Sequence, residues 1–389
     1  MDLAKAEEGR GRTGRPVIRV SKASVGSEEL KAIEEVFELC YFGMGSKVAE
    51  FEQRVQTYLG PGHVVAVNTG TSALHLALAS LDVGRGDEVI VPSLTFVSSF
   101  QAISATGGVP VACEVDPDRL LIDVDDVRRR ITARTKAIMP VHYTGQPCDM
   151  DEILALADEH GLRVVEDAAH AFGSTYRGRK IGSFGDVVCF SFDGIKNITT
   201  GEGGAVVCFD EELMERLRRK RLLGIDRDTR QRYRNTRTWV YAVDTQGYRY
   251  HMSNLNAAIG LAQLDKVEAF IARRRAICRR YVAGLSGTQG IRLLTMDYSE
   301  VAPHIFVIRV MTGRDRVMAR LAERGIETGV HYVPNHLHPL YSGAVSRLRN
   351  TEEAYAEILT LPLHPDLQDA DVEYVIKAVR DAVERVDEA

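Results

Sequence analysis

The chain has 389 residues, of which 45% are hydrophobic and 26% are charged, and its formal net charge is -5 at pH 7. This composition is typical of a soluble globular protein that is large enough for two domains. The acidic balance argues against a nucleic-acid partner. The lack of an apolar run long enough to cross a bilayer argues against a membrane partner.

Neither the N-terminus nor the cysteines indicate secretion. Residues 1–16 contain no apolar core of a signal peptide, and we expect them to form a flexible tail. The six cysteines are scattered along the chain, so we expect reduced thiols rather than disulfides or zinc ligands. We therefore expect a cytoplasmic protein without a metal site.

From residue 25 to residue 165, segments with helical periodicity alternate with short apolar runs that are typical of strands. This alternation predicts an α/β domain with a mostly parallel sheet and helices on both faces. Ser27 is the expected cap of the first helix. We predict helices over 25–37, 47–59, 73–81, 99–105, 125–131 and 150–160, and strands over 63–67, 88–91, 109–113, 137–141 and 162–165.

The second half of the chain has a different pattern. Residues 224–250 form a long irregular segment, and such segments are usually functional or interfacial. We predict a large domain over 17–270, followed by a smaller α+β domain over 271–389. The predicted elements of this half are helices over 211–223, 254–285, 314–324, 351–358 and from residue 369, and strands over 304–310 and 327–330.

Lys196 lies in a glycine-rich loop between two apolar runs, 187–192 and 205–209. The connection is too short for a crossover helix, which predicts that the two runs pair antiparallel. A lysine beyond a strand end that is partly desolvated loses its proton more readily and can act as an amine nucleophile. Because a solvated loop lysine is far commoner, other motifs must decide between these interpretations.

Two further motifs follow strand ends, the edge at which open α/β sheets bind ligands. Residues 68–72, Asn-Thr-Gly-Thr-Ser, lead into a helix, whose backbone N–H groups and dipole suit a phosphate. Asp167 ends an apolar strand, where a carboxylate requires a cationic partner. A simple helix cap is the alternative interpretation of each motif. The chain has neither GxGxxG nor GxxxxGK[ST], which disfavours a dinucleotide or ATP.

Together these motifs match the needs of pyridoxal phosphate (PLP). The cofactor needs an amine for its aldehyde, an acidic partner for its pyridinium nitrogen and an anion site for its phosphate. Lys196 would form the Schiff base and then move the proton of the substrate α-carbon, while Asp167 would keep the ring nitrogen protonated. Phe96 could stack on the ring, although packing in the core is an equal alternative.

The sequence resembles the DegT/DnrJ/StrS-type sugar aminotransferases, which are fold type I PLP enzymes of the aspartate aminotransferase superfamily. The resemblance extends from about residue 18 to the C-terminal helix. It implies a large domain with a mostly parallel central sheet flanked by helices, plus a smaller α+β C-terminal domain. The stretches that carry it include NTGTSALHLAL (68–78), VVEDAAHAFGSTYRGRKIGSFGD (164–186), FSFDGIKNITTGEGG (190–204) and GVHYVPNHLHPLY (329–341).

The resemblance also implies roles for individual residues. Lys196 matches the Schiff-base lysine and Asp167 matches the partner of the pyridinium nitrogen. His251 stands where the family often has Asn or Arg reaching the phosphate from the neighbouring subunit. The other implied cofactor contacts are Gly70, Thr71, Ser72 and Ser191 at the phosphate, Phe96 on the ring and His170 near the 3-oxygen. The implied substrate contacts are His331, Tyr332 and His336.

The implied activity is transfer of an amino group from glutamate or glutamine to a keto sugar. The expected acceptor is a dTDP-, UDP- or GDP-linked 4-keto-6-deoxyhexose, and the alternatives are a 3-keto sugar or a keto-cyclitol. Lys196 argues against the relatives that carry histidine there and act as sugar dehydratases. The resemblance further implies a homodimer with shared active sites. A non-catalytic regulator with this fold is the alternative outside enzymes.

Overall fold

The computed structural model describes residues 16–225, 241–343 and 347–384. The predicted flexible tail therefore lies, except for Pro16, outside the described residues. The same holds for residues 226–240 of the irregular segment and for the last five residues of the predicted small domain.

Seven strands form the central sheet: β1 His63–Val67, β2 Glu88–Pro92, β3 Val109–Cys113, β4 Thr135–Ile138, β5 Arg163–Asp167, β8 Val187–Ser191 and β9 Gly204–Cys208. Their order across the sheet is β1–β9–β8–β5–β4–β2–β3. Strand β9 is antiparallel to both of its neighbours, and the other neighbouring strands pair parallel. The predicted, mostly parallel α/β sheet is thus confirmed. Two short strands between β5 and β8, β6 Thr175–Tyr176 and β7 Arg179–Lys180, form a separate hairpin.

Helices cover both faces of this sheet because its strands are apolar on both sides. In β1, Val64 and Ala66 belong to one buried cluster, and the alternate residues Val65 and Val67 belong to another. Side chains of successive strand residues point to opposite faces, so each face needs its own layer of helices. The helices of this part are α1 Ser27–Glu38, α2 Ser46–Leu59, α3 Gly70–Ser80, α4 Val97–Ala105, α5 Val124–Arg130, α6 Met150–His160 and α7 Glu211–Arg221.

The lysine-bearing loop joins β8 to β9. The two strands pair antiparallel from Val187 opposite Cys208 to Ser191 opposite Gly204, which confirms the predicted hairpin. Since β8 runs parallel to β5, the loop emerges at the edge where β5 also ends. The hairpin therefore places Lys196 beside the other strand-end motifs.

The C-terminal part has its own sheet and core. The 32-residue helix α8, Asn254–Leu285, packs on α1 and α2 and continues into this part. Three antiparallel strands follow, and their core cluster is separate from those of the large sheet. The predicted boundary after residue 270 falls inside α8 and stays a prediction. The remaining elements are β10 Ile291–Leu293, β11 Phe306–Val310, β12 Ile358–Leu361, α9 Arg314–Glu323, α10 Arg349–Glu357 and α11 Asp369–Glu384.

One prediction for the C-terminal part is wrong, and one strand was not predicted. Residues 327–330 form no strand, and Gly329 makes only an isolated bridge to β12. The predicted helix over 351–358 is confirmed as α10, which ends at Glu357, but the buried run directly after it forms the unpredicted strand β12. A run of four residues is too short to show a clear helical or strand periodicity, so its pairing with β11 decides its structure.

The cap of α1 also differs from the prediction. Gly26, not Ser27, is the N-cap residue. Its backbone N–H donates to the Glu29 carboxylate at 2.7 Å, so a side chain of the first turn satisfies the helix start.

Within the described ranges, no helix combines the length and apolar character that crossing a membrane requires. The same residues contain no cluster of three or more His, Cys, Asp or Glu side chains placed to bind a metal ion.

Candidate active site

Asp167 is the last residue of β5, and its carboxylate is buried. Ser99, in the first turns of α4, donates a hydrogen bond to Oδ2 at 2.7 Å, and the Ala169 N–H donates to Oδ1 at 3.2 Å. Burial raises the pKa of Asp167, and the hydrogen bond from Ser99 opposes this rise. The carboxylate is therefore fixed in direction and would be stabilised by a cationic ligand.

Lys196 lies in the turn after β8 and is only partly accessible to solvent. Its Nζ lies 3.4 Å from Nε2 of His304. Burial lowers the pKa of Lys196 to about 8, although the charges of Asp193 and Asp167 act in the opposite direction. A useful fraction of this amine is thus neutral near pH 7 and able to act as a nucleophile or base.

Asn197, the residue after Lys196, is hydrogen-bonded to two regions of the chain. The side-chain amide of Asn197 donates to the carbonyl oxygens of Phe172 and Ala302, each at 3.1 Å. Phe172 follows β5 in the large part, and Ala302 precedes β11 in the C-terminal part. The lysine loop therefore bridges the two.

The 68–72 motif forms the first turn of α3. Thr69 is the N-cap, and its Oγ1 accepts from the Ser72 N–H at 3.0 Å. Gly70 packs so closely on Ser191, at the end of β8, that an added Cβ would lie 2.7 Å from the Ser191 Cβ. Thr71 is exposed. The free N–H groups of a first helical turn and the nearby hydroxyls make this a suitable seat for an anion.

A group of uncharged rings faces the lysine from the other side. His170 Nε2 shares a 2.9 Å hydrogen bond with the Tyr332 hydroxyl, and the His170 ring lies 4.4 Å from that of His304. Burial and the charge of Lys196 lower the pKa of both histidines well below its ordinary value. Burial also raises the pKa of Tyr332. These rings are therefore neutral at physiological pH.

Phe96 is the N-cap of α4 and is 53% exposed. Its ring lies 5.4 Å from that of Tyr332. This exposure argues against the alternative that Phe96 is packed in the core, and it leaves the ring available to stack on a ligand.

The structure distinguishes the two histidines that were predicted as substrate contacts. Nδ1 of His331 is hydrogen-bonded to Thr360 Oγ1 at 2.8 Å, and burial together with the charge of Lys196 lowers the pKa of His331 to about 4. His336 uses both ring nitrogens, at 2.7 Å to Ser93 Oγ and at 3.3 Å to Glu352. His336 thus connects its loop to Ser93 of the large part, and both of its ring nitrogens already have partners. His331 therefore fits the proposed substrate contact better.

His251 lies beside β1 of its own chain, where its backbone bridges to Val67. Its Nδ1 is buried without a hydrogen-bond partner among the described residues. The backbone of His251 is therefore close to the anion-binding turn of the same chain, and its contact with the phosphate of a neighbouring subunit stays a prediction.

Sequence reasoning missed two residues of the site, Ser99 and His304. Ser99 was predicted only as a helix residue, and nothing in the sequence pairs it with Asp167. His304 was assigned to the start of a strand, 108 residues from Lys196. A histidine at the start of the predicted apolar strand 304–310 was the one available signal.

The residues present fit PLP. Asp167 offers a buried carboxylate for the ring nitrogen, and Lys196 offers an amine of lowered pKa for the aldehyde. Because Gly70 has no side chain, the first turn of α3 can lie directly against Ser191, and this brings the N–H groups of the turn and the Ser191 hydroxyl together as a seat for the phosphate. Nδ1 of His170 is buried and has no hydrogen-bond partner among the described residues, so a polar atom of a ligand would satisfy it.

A model of the DegT/DnrJ/EryC1/StrS aminotransferase family matches residues 23–380. The chain belongs to this family. SpsC, a spore coat polysaccharide biosynthesis protein of Bacillus subtilis (strain 168), is 40% identical over 374 residues, which are 93% of this chain and 96% of SpsC. The solved structure of DesV from S. venezuelae is similar with 40% identity and a TM-score of 0.85, over 92% of this chain and 95% of DesV. The sugar aminotransferase CalS13 from Micromonospora echinospora is similar with 32% identity and a TM-score of 0.87, over 94% of this chain and 99% of CalS13.

The family and its solved structures establish a PLP-dependent aminotransferase. When bound, PLP supplies an electron sink that allows a substrate α-carbon to lose its proton. Asp167 would hold the ring nitrogen, the turn at Gly70 with Ser191 would hold the phosphate, and His170 Nδ1 would hold a polar ring substituent. Lys196 Nζ would carry the proton between substrate positions.

Proposed function

We propose that this chain transfers an amino group from glutamate or glutamine to a keto sugar, with a nucleotide-linked 4-keto-6-deoxyhexose as acceptor. The observation that carries this proposal is the group of neutral rings that faces Lys196. His170, His304, His331 and Tyr332 are all kept uncharged by burial.

Neutral imidazoles and phenols suit a polyhydroxylated acceptor. Each imidazole has one donor and one acceptor nitrogen, and a phenol has both functions. Sugar hydroxyls also donate and accept, so they pair with such groups without a buried charge that would need compensation.

The relatives support a sugar as the acceptor. SpsC is named for polysaccharide biosynthesis, and CalS13 is described as a sugar aminotransferase. Both match this chain over nearly its whole length.

The test is to incubate the PLP-loaded protein with glutamate or glutamine and a panel of keto acceptors. The panel contains dTDP- and UDP-linked 4-keto-6-deoxyhexoses, their 3-keto isomers and a keto-cyclitol, and mass spectrometry and NMR identify the aminated product. We expect an aminated nucleotide sugar, and we expect free dTDP or UDP to compete with it. Amination of the cyclitol alone, without competition by nucleotide, would instead support the keto-cyclitol alternative.

We also propose a homodimer with shared active sites. Large apolar side chains are exposed on α1 and the loop after it: Leu30 is 65%, Phe37 59% and Phe42 44% exposed. Apolar clusters of this kind mark interaction surfaces, and a second copy of the chain is the partner that we propose. Light scattering should give a mass near 86 kDa, twice the 43.1 kDa of one chain; a monomer at micromolar concentration would exclude the proposal.

The cysteines support a reducing compartment, for which we propose the cytoplasm. All six are free thiols, and five of them are buried. Disulfides are rare in reducing compartments, where thiols of this kind persist.

A further inference from the structure

His304 is held rigidly beside the reactive amine. The side chain is buried, and Nε2 lies 3.4 Å from Lys196 Nζ. Its backbone is fixed from two directions: the His304 N–H donates to the Thr144 carbonyl at 2.9 Å, and Arg274 Nη1 donates to the His304 carbonyl at 3.0 Å. The imidazole therefore has little freedom to move away from the amine.

The imidazole is also fixed in its protonation state. Burial lowers the pKa of His304 well below its ordinary value, and the charges of Lys196 and Arg274 act in the same direction. A neutral imidazole has one nitrogen lone pair that can accept a hydrogen bond. Nδ1 of His304 is buried and has no hydrogen-bond partner among the described residues. In the tautomer with the proton on Nδ1, Nε2 offers its lone pair to Lys196.

We propose that His304 is a positioning residue, whose Nε2 accepts a hydrogen bond from the Lys196 amine whenever that amine is not bonded to PLP. The amine is free before the cofactor is captured and again while the amino group is transferred. In both situations a four-carbon side chain would otherwise sample many rotamers. The hydrogen bond keeps Nζ at the edge of the sheet where Asp167 ends.

This role depends on the PLP chemistry and not on the identity of the acceptor. In the part of the chain that the structure describes, the bond to His304 is the side-chain hydrogen bond found at Lys196 Nζ. The charges of Asp193 and Asp167 raise the pKa of Lys196. The charge of Lys196 in turn lowers the pKa of His170 and of His331.

The test measures capture of PLP by the apoenzyme, with neither amino donor nor sugar present. Absorbance follows the rate of capture between pH 6 and 10, and the reaction of PLP with free lysine corrects for the pH dependence of the cofactor itself. In the native protein we expect the rate to rise with pH to a midpoint near the Lys196 pKa of about 8, because the neutral amine is the nucleophile.

His304→Phe keeps a ring of similar size but removes the acceptor. We expect capture at high pH to slow about tenfold because the amine is no longer held in place. We expect the midpoint to fall by about one pH unit because the protonated amine loses its hydrogen bond. His304→Gln, whose amide oxygen reaches about as far as Nε2, should restore both values.

The result that would overturn the proposal is a Phe variant with native rate and midpoint, or a folded Gln variant that restores neither. Circular dichroism and thermal melting verify folding. If the Phe variant does not fold, His304→Asn replaces it, because its amide stops one methylene short of Nε2 and should also slow capture about tenfold. A native capture rate in that variant would equally overturn the proposal. Since no sugar is used, failure to aminate any sugar would not affect this outcome.

Discussion

The two sides of the active site are built in different ways. On the side of the large sheet, Asp167 and Ser191 each end a strand, and the turn that contains Gly70 begins where β1 ends. On the C-terminal side, His304, His331 and Tyr332 are neutral rings carried by connections between elements. The first side presents charge and backbone N–H groups suited to the cofactor. On the second side, His304 faces the Lys196 amine, whereas His331 and Tyr332 present uncharged donors and acceptors suited to a sugar.

The supports of the two sides differ as well. Asp167 is oriented by neighbours in the large part, through Ser99 and the Ala169 N–H. The C-terminal side is held by bonds that cross between the two parts, as when Asn335 donates to the carbonyl oxygens of Ser93 and Thr95 at 3.1 and 2.8 Å. The orientation of the carboxylate for the ring nitrogen therefore depends on one part, whereas the proposed acceptor side depends on contacts between the two parts.

The largest expected effect belongs to the residue between the two sides. Lys196→Ala should reduce turnover by roughly a thousandfold or more, because it removes the amine that would bond to PLP and move the proton. The free energy of unfolding should change by less than about 1 kcal/mol, since a loop lysine contributes little to the core. Steady-state kinetics and urea unfolding test both values. Lys377→Ala, at a 77% exposed position, is the control, and retained transamination by the Lys196 variant would refute its role.

Asp167→Asn tests the cofactor side. The amide keeps the size of the carboxylate and can still accept from Ser99, but it cannot hold a ring nitrogen in its protonated form. The half-reaction with glutamate, followed by stopped-flow absorbance, should slow by about a hundredfold. Asp315→Asn, at an 85% exposed position, should leave it unchanged. A rate within about threefold of the native one would show that Asp167 does not partner the ring.

Tyr332→Phe tests the acceptor side. It removes one of the uncharged groups proposed to hydrogen-bond the sugar, so the half-reaction with the keto sugar should slow by about tenfold, whereas the glutamate half-reaction should change by less than about threefold. Tyr341→Phe, in the same segment but hydrogen-bonded to Ser104 at 3.4 Å, is the matched control. Equal losses in both half-reactions would contradict the proposal that this side of the site serves the sugar and not the cofactor.

The smallest expected effect concerns stability in acid. An unfolded histidine takes up a proton near pH 6.5, whereas the pKa of His331 in the folded chain is about 4. Because the folded-state pKa is depressed, the contribution of neutral His331 is complete above about pH 6.5 and is lost as the pH falls toward 4. His331→Gln should therefore reduce the loss of unfolding free energy between pH 7 and pH 5.5 by about 1 kcal/mol. Urea unfolding at both pH values measures this, and identical losses would argue against a neutral ring.

The sequence predicts the cofactor side better than the acceptor side for a physical reason. Lys196, Asp167 and the Gly70 turn directly follow strands whose apolar pattern is strong, and the carboxyl ends of parallel strands meet at one edge. His304 and Ser99 acquire their partners only through tertiary packing, which no local pattern encodes. The same limit explains β12, which was not predicted and which forms through pairing with β11.

The two hydrogen bonds of Asn197 connect the lysine loop to both parts of the molecule, through Phe172 and Ala302. If the two parts shifted relative to each other, one of these 3.1 Å bonds would lengthen or the lysine loop would move with one part. We therefore expect substitutions that change how the two parts pack to displace Nζ of Lys196, even when they contact neither cofactor nor sugar.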